Sequence, residues 1–138
     1  MYEFRTSRKI EFVDTDMGGI VHFSRFVVFM ETAEHEFLNA LGTSVAMEHD
    51  GVHIGWPRVK VSCEYKQPAR FGDVLDIHVR VLNKGRRSMT YGFVFKCRDQ
   101  EIAIGEMTSV CCVLEPGKKV RAIPIPPPIS EKVEEAPR

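Results

Sequence analysis

Between Phe26 and Leu41 apolar residues return at steps of three and four, a pattern sustained nowhere else in the chain. Phe26, Phe29, Met30, Ala33, Phe37, Leu38 and Leu41 form the repeat, with Arg25, Glu31, Glu34, Glu36 and Asn39 between them. This period gathers the apolar set on one broad face of a helix of about five turns. Gly42 follows where a left-handed residue commonly ends a helix. A face that wide must be buried, and the remaining sequence offers strands to bury it against.

Strand-like alternation begins at Phe4–Val13, where Phe4, Ile10 and Phe12 share one parity and Arg5, Ser7, Lys9 and Glu11 the other. It returns in Val59, Val61, Cys63 and Tyr65, then in Leu75, Ile77, Val79 and Val81. Met89, Tyr91, Phe93, Phe95 and Cys97 form a further set, and residues 101–114 the last, ending in the apolar run Val110–Leu114. Pro68, Gly72-Asp73, the stretch Asn83–Arg87 around Gly85, and Arg98-Asp99-Gln100 separate these runs as turns. The last two strands are expected to pair as a hairpin. Residues 43–55 read as loop or a short irregular helix. The order is β-α-β-β-β-β, which predicts an α+β fold: a five-stranded antiparallel sheet wrapped around one long helix. Residues 1–115 are expected to form the domain. From Pro116 onward lie six of the eight prolines, so residues 116–138 are expected to be an extended, exposed and partly disordered tail.

A chain of 138 residues with 43% apolar and 28% charged residues suits one soluble domain. Nineteen basic and nineteen acidic side chains cancel, which argues against binding nucleic acid or anionic membrane by bulk charge. No apolar run reaches the ~18–20 residues that span a bilayer. The opening MYEFRTSRKIEF lacks the apolar core of a signal peptide. Cys63, Cys97, Cys111 and Cys112 show no CxxC spacing, so neither a disulfide framework nor a zinc site is expected. Free thiols in a reducing cytoplasm are. The helix covers one face of the sheet, and the uncovered face and edges point to self-association.

The segment with chemical potential is Asp14-Thr15-Asp16-Met17-Gly18-Gly19-Ile20-Val21-His22-Phe23-Ser24-Arg25-Phe26, which joins the first strand to the helix. Unpaired N–H groups and the helix dipole favour developing negative charge there. A carboxylate beside such a terminus can attack, or activate water toward, a carbonyl whose oxygen rests on the amides. Gly19 and its neighbour would let a ligand approach the backbone closely. The same residues also suit a plain Asx turn and cap.

These residues, with Phe29-Met30-Glu31-x-Ala33-x-x-x-Phe37-Leu38 and Val61-x-Cys63-Glu64-Tyr65-x-x-Pro68-Ala69-x-Phe71-Gly72-Asp73, resemble the 4-hydroxybenzoyl-CoA thioesterase-like group of hotdog-fold acyl-CoA thioesterases. By element order the resemblance covers residues 4–115. It implies a hotdog subunit that hydrolyses an acyl-CoA to free acid and CoA and needs no metal or other cofactor. Asp16 would be the catalytic carboxylate, Asp14 a turn or support residue, and the backbone amide of Phe23 or its neighbours the oxyanion donor. Lys84, Arg86 and Arg87 would meet the CoA phosphates, a role that suits the planar guanidinium; the other reading of the three is a solvated hairpin turn. A dimer, commonly paired again into a tetramer, is implied, with each site shared between subunits. Two alternatives use the same fold: a thioesterase for acyl-carrier-protein substrates, and a non-catalytic acyl- or CoA-binding module. Relatives in the group often carry Asn after the Ser of the helix start, where this chain has Arg25.

His22 adjoins the segment and has the intrinsic basicity for proton transfer near neutral pH, or else it packs behind the site. His35 lies near Glu31 and Glu34 on what reads as a solvated helix face, with no third ligand for a metal. Trp56, Phe29 and Phe37 suit the core better than an acyl pocket. No Cys/His or Ser/His/Asp arrangement is legible.

Overall fold

The computed structural model describes all 138 residues. Strand β1 (Glu3–Lys9) leads through a short 3-10 turn at Phe12–Asp14 to helix α1 (Arg25–Ala40). Two small strands, β2 (Glu48–His49) and β3 (Val52–Gly55), precede the long ones: β4 (Arg58–Tyr65), β5 (Val74–Lys84), β6 (Ser88–Cys97) and β7 (Gln100–Val110). Strands β8 (Cys112–Val113) and β9 (Arg121–Ala122) and a one-turn helix α2 (Pro127–Ser130) complete the chain. The main sheet runs β1-β5-β6-β7-β4, antiparallel throughout, and β2-β3-β8-β9 form a small second sheet.

Helix α1 buries Phe26, Phe29, Met30, Ala33, Phe37 and Leu38, the set its period selects. Opposite them, Ile77 pairs with Phe95, Val79 with Phe93 and Val81 with Tyr91, so aromatic and branched side chains meet across the strands on the helix-facing side. Phe26 meets Phe95 edge-on at 5.4 Å, and Phe37 meets Tyr91 at 6.0 Å. Gly105 lets the helix approach: a Cβ there would collide with Met30. The hairpin between β6 and β7 turns on Arg98 and Asp99, both with positive φ (48° and 69°), the conformation that matches strand twist in a two-residue turn.

Three sequence expectations need correction. The first strand stops at Lys9, and Phe12, which parity placed inward, is 78% exposed in the 3-10 turn. Residues 43–55 are neither plain loop nor helix, because β3 pairs with β8 in the small second sheet. The residues after Pro116 return to the body of the molecule. Ile125, Ile129 and Val133 are buried, spaced four apart, with prolines opening α2 between them. Their backbone is tied down as well: Ile125 N–H donates to Arg86 C=O, Glu134 N–H to Met1 C=O and Ala136 N–H to Val81 C=O. Apolar spacing, rather than proline count, governs this segment.

Candidate active site

The loop before α1 is stitched to the segment between β4 and β5. Val21 N–H donates to Ala69 C=O at 2.8 Å, and Ile20 bridges Arg70. Ile10 N–H donates to Asp73 C=O, and Gly72 N–H returns to Ile10 C=O. Asp16 therefore sits at the end of the sheet where β5 begins. Its Oδ1 accepts the Gly18 N–H at 2.8 Å in an Asx turn, and Gly19 takes φ +79° to close the loop with its N–H on Asp16 C=O. The turn reading of Asp16 is the one seen: Oδ1 shapes the turn, and Oδ2 has no intramolecular partner.

An open cleft of about 450 Å³ lies against this loop. Asp16 and Phe23 line it together with Ile20, Phe26, Tyr65 and Ala69. Phe23 N–H makes no hydrogen bond within the chain, while Phe23 C=O accepts the Tyr65 hydroxyl at 2.9 Å. Tyr65 also packs edge-on against Phe26 at 5.5 Å. The residues lining the cleft thus include a carboxylate with one unpartnered oxygen, a residue next to the helix N-terminus whose N–H is unpaired, and apolar walls.

Asp14 is fully buried and faces inward, away from solvent. Its Oδ2 accepts the Glu11 N–H at 2.8 Å, and its Oδ1 accepts Arg25 Nε at 2.9 Å and Nη2 at 2.8 Å. Arg8 stands behind, its guanidinium 4.7 Å from the Phe29 ring centre and 3.7 Å from the same Oδ1. His22 does not line the cleft. Its Nδ1 lies 2.7 Å from Ser24 Oγ, its ring stacks on Phe23 at 4.6 Å, and its backbone N–H donates to Asp14 C=O.

The basic residues assigned to CoA lie elsewhere. Strand β5 separates them from Asp16 by its full length, about 33 Å for a strand of eleven residues. Lys84 directs its ammonium to the carbonyls of Ser130 and Val133, so it holds the tail. Arg86 and Arg87 are exposed in the turn between β5 and β6.

Sequence reasoning missed Glu34. It was placed on a solvated face, yet it is buried and held by Arg58, with Nη2 at 2.6 Å from Oε1 and Nη1 at 3.1 Å from Oε2. Burial raises its carboxyl above the usual range against the pull of Arg58. The only signal in the sequence was its position, one turn after Met30 and one before Leu38 on the apolar face. Burial likewise pushes the Cys111 thiol up to about 11, far from a thiolate nucleophile at neutral pH.

The model of the thioesterase-like superfamily matches residues 10–133. The chain belongs to that superfamily. This thioesterase is 31% identical over 115 residues to an Aquifex aeolicus protein provisionally named an esterase, across 82% of this chain and 86% of that one. It is 26% identical over 123 residues to the acyl-CoA thioester hydrolase YbgC of Escherichia coli O157:H7, across 88% and 90%. The solved gentisyl-coenzyme A thioesterase BH1999 superposes with a TM-score of 0.81 and 28% identity, over 91% of this chain and 98% of that one. The hotdog architecture expected from the sequence is the architecture found. The family match runs eighteen residues beyond the expected boundary at 115 and takes in the packed part of the tail.

Proposed function

We propose that this thioesterase hydrolyses an acyl-CoA in the cleft between Asp16 and the amide of Phe23. The observation that carries the reading is their pairing on one apolar cleft: a carboxylate oxygen without a partner and an N–H without an acceptor. The thioester carbonyl oxygen rests on the Phe23 N–H, where the helix terminus stabilises the oxyanion as it forms. Asp16 either takes a proton from the attacking water or attacks the carbonyl carbon itself, forming an acyl-aspartyl anhydride that water then hydrolyses to the free acid. The sulfur departs as a thiolate, a far weaker base than an alkoxide, so its expulsion needs no strong acid. Tyr65 and Phe26 wall the acyl group, and the names of YbgC and BH1999 support a CoA thioester as substrate.

The site is shared between two copies of the chain. Strand β4 ends the main sheet with one side unpaired, and Val59, Val61 and Tyr65 along it are 62, 45 and 50% exposed. An open edge carrying apolar side chains is a template for a second chain. Pairing there would let the partner's arginine turn approach a CoA whose thioester lies at Asp16, which the length of β5 prevents within one chain. Four free cysteines, three of them buried, suit a reducing cytoplasm.

The test is CoA thiol release from short, long and aromatic acyl-CoAs by wild type and Asp16→Asn, with CoA binding measured beside it. Turnover should fall about 10³-fold in the variant, with CoA affinity kept. Unchanged turnover would remove Asp16 from the chemistry.

A further inference from the structure

The superfamily resemblance places an asparagine where this chain has Arg25, and a guanidinium at the mouth of a CoA thioesterase invites the reading of an anion contact. The geometry points elsewhere. Arg25 is the first residue of α1 and turns back, placing both Nε and Nη2 on one oxygen of Asp14. Asp14 has no exposed surface, and its two oxygens and its carbonyl are each engaged. Arg25 is absent from the cleft that holds Asp16 and Phe23.

Resting on the reading of Asp16 and Phe23 just given, we infer that Arg25 is a positioning residue that acts through Asp14. Asp14 lies two residues before Asp16, and its carbonyl receives the N–H of His22, the residue before Phe23. Its carboxylate receives the first residue of the helix. One buried residue therefore fixes three points: the strand side of the Asp16 loop, the peptide that precedes the Phe23 amide, and the start of α1. Arg25 is what keeps that carboxylate compensated in the interior, since a buried charge without a partner is strongly disfavoured. Arg8 adds a second positive charge at 3.7 Å but no hydrogen bond, because its Nη2 is beyond hydrogen-bond reach and its guanidinium faces the Phe29 ring. Two N–H groups of one guanidinium converging on a single oxygen suit the rigid fork of arginine and not the ammonium of lysine.

The experiment compares wild type with Arg25→Gln, Arg25→Lys and the double variant Asp14→Asn/Arg25→Gln at a temperature where all remain folded. Steady-state kinetics on the best acyl-CoA are read with amide hydrogen exchange at His22. Arg25→Gln should lower kcat about 10- to 100-fold with KM within twofold, and should speed exchange at His22. Arg25→Lys should recover only part of kcat, and the neutral double variant should recover more than Arg25→Gln alone. A loss confined to KM would make Arg25 a substrate contact and overturn the inference, as would unchanged kcat and exchange in Arg25→Gln. Asp16→Asn, run alongside, separates the two levels. If it keeps wild-type turnover, the carboxylate reading fails and the inference with it. If it is inactive while Arg25→Gln is fully active, only the positioning role fails.

Discussion

At the end of the sheet where β5 finishes, cations and the amino terminus direct their donors onto carbonyls. Lys84 reaches Ser130 and Val133, Lys132 reaches Leu41 at the close of α1, and the Met1 ammonium reaches Lys132. At the end where β5 begins, the Phe23 N–H and one oxygen of Asp16 are unpaired, and Phe12, Met17, Phe23 and Phe71 lie exposed. Both ends are built by tethers from a distant segment, yet one is closed and the other left open. The contacts of Lys84, Lys132 and Met1 show how this fold closes a helix C-terminus and a strand exit. Against that closure, the unpaired groups at the other end are the ones that the proposed function assigns to the substrate.

Four measurements break or sharpen that contrast. Ile129→Ala, in the fully buried centre of the tail, should cost about 2–5 kcal/mol in denaturant unfolding, while turnover per folded molecule at low temperature stays the same. A parallel loss of turnover would show that the two ends are coupled. The turn at the closed end holds a second contrast, between Lys84 and the arginines. Arg86→Ala/Arg87→Ala should raise KM for acyl-CoA about tenfold with kcat kept, an effect that shrinks as salt is added. Lys84→Met should lower stability and leave KM alone. At the open end, Tyr65→Phe removes the hydroxyl on Phe23 C=O, worth about 1 kcal/mol, and should lower kcat several-fold while Tm moves little.

The smallest effect concerns Glu34, midway along the helix. Its carboxyl titrates higher in the folded protein than the ordinary value of 4.5 that it has when unfolded. The folded state therefore binds this proton more tightly, so its contribution to stability is full below about pH 4.5 and lost as pH rises through the folded value. Glu34→Gln keeps a neutral partner for Arg58 and should remove that decline, measured as unfolding free energy from pH 4 to 7. Identical profiles would mean that the pull of Arg58 offsets burial, so that the carboxyl titrates alike in the folded and unfolded chain.

The period from Phe26 to Leu41 and the alternation in the later strands were enough to fix the helix, the five main strands and their antiparallel class, because 3.6- and 2-residue periods survive any tertiary context. The Asp16 segment was legible too, because a turn carrying Asp and paired Gly before a strong helix limits the backbone to few paths. Other features depended on neighbours far away in sequence. Glu34 looked solvated until Arg58 arrived from β4 to pair with it. The prolines of the tail point to disorder, whereas the four-residue spacing of Ile125, Ile129 and Val133 has meaning only once a surface exists to receive it. Lys84 looked like a phosphate ligand until the tail's carbonyls were found in its reach. Arg25 is the sharpest case: its charge was written in the sequence, but only the packed position of Asp14 decided that the charge turns inward. Local periodicity determines which segments must be helix or strand, since it depends on the chain alone. What each charged side chain does is set by the partner that folding brings within about 3 Å, and only the tertiary structure holds that information.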